Sequence, residues 1–172
     1  ENPDALGNGG KIGKWHLDGT RIGDYARNEF TWTTGIAVAA DGDVYCADEH
    51  DNFIAVFSPD GPFRPFPEFN PDGEFKFKWG EPGSAYGQLN SPSGLVFDQS
   101  DDLLVVDSRN NRVQKFTKEG VRLSGWGTNG ADEGEFDRPW GICVDKDGFV
   151  YVADWGNHRV QKFTPGGEYV MT

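Results

Sequence analysis

Three histidines, two cysteines and a recurring aspartate–arginine pair are the residues through which this 172-residue chain could do chemistry. Zinc catalysis wants about three convergent nitrogen or oxygen ligands and an open coordination position. His158 belongs to a repeated motif and His16 to a turn, which leaves His50 alone near a candidate site, so no metal site is expected. Asp48, Asp107 and Asp154 recur once per repeat, and Arg112 and Arg159 follow the last two at a fixed spacing. A periodic acid reads as a hydrogen-bond acceptor for backbone or a neighbouring arginine rather than as a catalytic group. Asp41-x-Asp43, Asp101-Asp102 and Asp145-x-Asp147 lack the dozen-residue ligand framework of a calcium loop and read as hairpin turns. No G-x-S-x-G, H-E-x-x-H or phosphate-cradling glycine loop occurs. No catalytic residue and no cofactor is assigned.

The elements that position these residues come from a repeat. Gly73, Gly120 and Gly167 set a period of 47 residues, a length typical of stacked or radial repeat architectures. Each full repeat holds four strands. The first is Gly35–Val38, Gly94–Phe97 or Gly141–Val144, whose leading glycine suits a crowded centre. An Asp41-Gly42 or Asp147-Gly148 hairpin follows, with Ser100-Asp101-Asp102 in its place in the middle repeat. The second strand, Val44–Ala47, Leu104–Val106 or Val150–Ala153, ends at the periodic aspartate. The third, Phe53–Phe57, Arg112–Phe116 or Arg159–Phe163, alternates apolar and polar residues. The fourth is Glu74–Trp79 or Val121–Trp126. A proline-rich insertion, Pro62–Gly73, separates third and fourth strands in the first repeat and excludes a central strand there. Its Phe63 and Phe66 are candidates for a partner contact or for covering their own sheet. Cys46 aligns with Val105 and Val152, and Cys143 with Ala37 and Val96, so both cysteines read as small core residues.

Composition bounds the partners. The net charge of −12, from 28 acids against 16 bases, opposes nucleic acid and anionic membranes, because phosphate contacts need clustered Lys and Arg. No stretch approaches the roughly 18 apolar residues of a membrane span. The polar, glycine-rich start is not read as a signal peptide. A chain that begins at Glu1 is expected to be processed, excised or incomplete, and its compartment stays open.

The frame G-I-x-V-D…G-x-V-Y-V-A-D…N-x-R-V-Q-K-F, with Asn157-His158-Arg159, Asn110-Asn111-Arg112 and Asp51-Asn52-Phe53 at the signature triplet, resembles the NHL repeat over most of residues 29–167. The resemblance implies an all-β fold: a β-propeller, usually six blades of four antiparallel strands around a channel, of which this chain holds only part. The expected layout is the tail of a preceding blade over 1–28 and blades over 29–80 (with the 62–73 insertion), 81–127 and 128–172. An arc of three blades would leave apolar sheet faces uncovered, so the chain is expected to be part of a larger propeller or to self-associate.

In such a fold the loops between second and third strands share a face with the loops joining blades. His50, Arg109 and Trp155 stand in the former, and Thr34, Ser93 and Trp140 just before the inner strand at the channel mouth, which makes them the candidate binding residues. The expected function is a non-catalytic module that binds protein or small ligands. The alternative is a metal-dependent lyase or hydrolase of the amidating-lyase-like propeller type, a family that resembles this chain in its blades, with its site on blades this sequence does not contain. It holds its metal with histidines from several blades, whereas Thr34, Ser93 and Trp140 stand at the corresponding positions here. RNA binding, implied by some NHL propellers with basic faces, conflicts with the acidity.

Overall fold

The computed structural model describes residues 10–59 and 74–172. Phe63 and Phe66, with the rest of the insertion, lie outside them. Three four-stranded antiparallel sheets follow one another along the chain, each in plain meander order. The first blade comprises β3 (Thr33–Val38), β4 (Val44–Asp48), β5 (Phe53–Phe57) and β6 (Phe75–Trp79). The second comprises β7 (Pro92–Phe97), β8 (Leu103–Asp107), β9 (Arg112–Phe116) and β10 (Arg122–Trp126). The third comprises β11 (Pro139–Val144), β12 (Val150–Asp154), β13 (Arg159–Phe163) and β14 (Tyr169–Met171). A two-stranded hairpin, β1 (Gly10–Trp15) with β2 (Arg21–Phe30), precedes them. The one helical feature among the described residues is a 3-10 turn at Ser108–Asn110.

The pattern of short β-branched and aromatic runs becomes strands because the facing sheets of neighbouring blades bury each other's apolar side chains. Tyr45, Ala47, Ile54 and Val56 of the first blade pack with Leu95, Leu103, Val105 and Phe116 of the second. One repeat later, Leu104, Val106 and Val113 pack with Val150, Val152 and Phe163. The inner strands crowd closely enough that a Cβ on Gly35 would sit 1.9 Å from the Ser93 carbonyl oxygen, and one on Gly94 2.6 Å from that of Trp140. This crowding is what the leading glycine of the first strand is for in the first two blades, whereas a Cβ on Gly141 would meet only Ala153 at 3.7 Å. In the middle repeat Asp101 takes the left-handed turn position (φ 61) that glycine fills in the sister hairpins. Its carboxylate is tied to Lys118 at 2.7 Å and accepts from the Ala40 backbone of the first blade.

One expectation fails. Cys46 is fully buried, but Cys143 is exposed. Its equivalents Ala37 and Val96 each pack against the blade that follows. Among the described residues no blade follows β14, so Cys143 and Val160 (54% exposed, against 0% for Ile54 and Val113) look outward.

Candidate functional site

The periodic aspartates organise the loops around the site. Asp107, with no exposed surface, pairs with Arg112 Nε at 2.7 Å, and also accepts from the Asn90 backbone, Asn110 and Gln114. The guanidinium of Arg112 then donates to the carbonyls of Ser84, Ala85 and Gln88, fixing the incoming loop. Asp154, Arg159 and the Ala131, Asp132 and Glu135 carbonyls repeat the arrangement. A buried carboxylate met by a fork of donors is a structural clamp, since every lone pair that desolvation would penalise is satisfied. In the first blade Phe53 stands where the arginine would be, and Asp48 takes the backbone N–H groups of Thr31, Trp32, His50 and Asp51 instead.

Blades are tied to each other at this same end. The Asn52 side chain accepts from Ser91 N across 39 residues, and Asn111 from Arg138 N across 27. Ser91 and Arg138 both adopt positive φ (54° and 48°), a costly conformation for such residues unless neighbours over-determine it. For Arg138 the result is a guanidinium lying 4.8 Å over the Trp155 ring while pairing with Asp137 at 3.2 Å.

These loops enclose a cavity of about 490 Å³ lined by Glu49, Ser108, Arg109, Arg138, Trp140 and Trp155. Trp140 and Trp155 are 45% and 58% exposed. An adjoining cavity of about 260 Å³ is lined by Trp32, His50, Asn52, Asn90 and Ser91, and shares Glu49 and Arg109 with the first. The structure therefore brings Arg109, Trp140 and Trp155 together and places His50 beside them. His50 Nδ1 contacts the Asp51 carboxylate at 2.8 Å, and the Thr31 hydroxyl and His50 hold that carboxyl below its usual range. The hydroxyls of Thr34 and Ser93 are used otherwise. Thr34 donates to the Pro92 carbonyl and the buried Ser93 to the Trp140 carbonyl, so both join inner strands of neighbouring blades.

Glu49, Arg138 and Trp32 line the mouth without having been singled out in the sequence. Each is a departure from its own repeat. Glu49, Ser108 and Trp155 share one position, as do Trp32, Ser91 and Arg138, and scanning face positions for non-repeating residues would have found them. No group of three or more His, Cys, Asp or Glu side chains among the described residues is placed to hold a metal ion.

The NHL-repeat family model matches residues 89–116 and 136–163, the stretches that carry the Asp–Arg clamps. Two stretches of the chain are thus matched as NHL repeats, in a structure of β-propeller type. A 43-residue segment is 44% identical to Protein brain tumor of Drosophila melanogaster, covering 25% of this chain and 4% of that protein. The same length matches B-box type zinc finger protein ncl-1 of Caenorhabditis elegans at 44%, covering 25% and 5%. The NHL-repeat chain thus spans a small fraction of these relatives. Among solved structures, a streptogramin B lyase superposes with a TM-score of 0.68 at 17% identity, covering 95% of this chain and 48% of that one. Virginiamycin B lyase from Staphylococcus aureus gives 0.65 at 16% identity, covering 96% and 49%. A nidogen–laminin complex gives 0.59 at 18%, covering 86% and 50%. At such identities the likeness is one of fold, and the chain spans about half of each of these structures.

Proposed function

We propose that this NHL-type propeller arc is a non-catalytic binding module that holds a protein segment or small ligand at the cavity mouth, within a larger propeller or assembly. The observation that carries the reading is convergence. Arg109 and Trp155, from loops of two different blades, meet Trp140 and the first blade's Glu49 around one concave, aromatic-walled space. Exposed aromatic rings beside arginines are the residue types that dominate binding surfaces. The net charge of −12 favours partners other than nucleic acid. The outward-facing Cys143 and Val160, at positions partly buried (Ala37, Val96) or fully buried (Ile54, Val113) in both preceding blades, support the larger assembly.

The test follows the indole NMR resonances of Trp140 and Trp155 while a panel of short peptides and amphipathic small molecules is titrated. Binders should shift both resonances, and a Trp140→Ala/Trp155→Ala variant should lose them. A panel that leaves both resonances unmoved, or binding that the double variant retains, removes the reading.

A further inference from the structure

Glu49 and Arg109 line both cavities at the mouth, yet neither side chain has a hydrogen bond or an ion pair with any described residue. Unpaired glutamates such as Glu81 and Glu119 recur on this surface, but for Arg109 the lack of a partner is a departure from the other basic side chains. Lys76, Lys115, Lys118, Arg138 and Lys146 each sit on a carboxylate. In a chain with acids in such excess, an arginine beside an unpaired glutamate in one concave space is a separated charge pair. The two groups do not reach each other directly, so each keeps its capacity for a charge-assisted hydrogen bond.

Building on the binding-module reading, we infer that the mouth takes a zwitterionic amino acid or short peptide with an apolar side chain. The ligand's ammonium meets the Glu49 carboxylate, its carboxylate meets Arg109, and its side chain lies against Trp140 and Trp155. Arg138 is already engaged by Asp137 and by the Trp155 ring, so it stiffens the aromatic wall rather than taking the ligand's charge. A polyanion would meet Glu49, and a simple cation would meet both arginines. Only a ligand carrying both signs satisfies the two free groups at once. A volume of about 490 Å³ suits such a ligand, falling in the roughly 300–1,000 Å³ range of small-molecule sites.

The experiment titrates the intact chain with L-phenylalanine and the dipeptide Gly-Phe. N-acetyl-phenylalanine and phenylalanine amide serve as analogues lacking one charge each, with binding read by calorimetry. The zwitterions should bind about tenfold more tightly than either blocked analogue, the effect of one charge-assisted contact. Glu49→Gln should erase the advantage over the acetylated form alone, and Arg109→Met the advantage over the amide alone. Both side chains are at the surface, so circular dichroism should be unchanged in each variant. Equal binding of free and blocked forms, or no zwitterion binding at millimolar concentration, overturns the inference. If the blocked forms bind and the Trp140→Ala/Trp155→Ala variant loses them, the binding-module reading survives that overturning. If neither these probes nor the broader panel binds, both fail. Tighter capture of a uridine oligomer than of any zwitterion would overturn the inference in favour of a polyanion.

Discussion

The first blade and the two that follow solve one structural problem with opposite chemistry. All three bury an aspartate at the end of the second strand: Asp48, Asp107 and Asp154 have no exposed surface. The second and third blades neutralise it with an arginine and a glutamine, at Arg112 and Gln114 or Arg159 and Gln161. The first blade places Phe53 and Ala55 at those positions and seats them with Phe30, Phe57, Val44 and Cys46 in an apolar cluster. Phe53 stacks on Phe30 with ring centroids 6.0 Å apart. Asp48 is then left to four backbone N–H groups. The polar solution clamps a loop from a distance, whereas the apolar one fills space locally, and one strand geometry accommodates both.

The largest expected effect comes from breaking the polar solution. Arg112→Met leaves the Asp107 carboxylate buried without its counter-charge and the Ser84 carbonyl without its donor, which should cost about 3–5 kcal/mol in urea unfolding. Phe53→Ala attacks the apolar solution and should cost about 3 kcal/mol through the cavity it opens. Grafting the polar set into the first blade (Asp51→Asn, Phe53→Arg, Ala55→Gln) should leave it at least about 2 kcal/mol below the parent, because the cluster around Phe30 and Phe57 loses its partner. Recovery of parental stability would show the two solutions to be interchangeable and would break the comparison.

Smaller effects sharpen it. Ser93→Ala removes the donor to the Trp140 carbonyl between the second and third blades and should cost about 1 kcal/mol by thermal unfolding. Lys118 bridges Asp41 of the first blade and Asp101 of the second. Its hydrogen bond holds both carboxyls below their usual range. Folded-state values lower than unfolded ones mean that this contribution is complete above the ordinary aspartate pKa of about 4 and is lost as pH falls through the lowered values. Lys118→Met should therefore lower the urea midpoint slightly at pH 7 and leave it unchanged in strong acid.

The fold was legible because a period of 47 residues is dictated by stacking. Each strand position has sisters, and sisters share neighbours. The same logic misled at Cys143. Alignment reports which position a residue occupies, but not whether a blade stands opposite it. The site was half legible. Arg109, Trp140 and Trp155 stood out as large residues at loop positions, whereas Thr34 and Ser93 sat at the right end of the strand with hydroxyls committed to neighbouring backbone. Glu49, Trp32 and Arg138 belong to positions where no two repeats agree, so periodicity carried no signal for them. The proximity of Glu49 to Arg109 comes from strands a whole blade apart and has no sequence pattern.

The two cysteines give this molecule a built-in reporter. Burial pushes the Cys46 thiol far up its titration range, so it stays protonated and shielded from alkylating reagents. Cys143 stands on the outward face of the third blade. A single maleimide adduct is thus directed to one known surface without mutagenesis. A fluorophore there reads out whatever comes to rest against that face, and a spin label measures how closely.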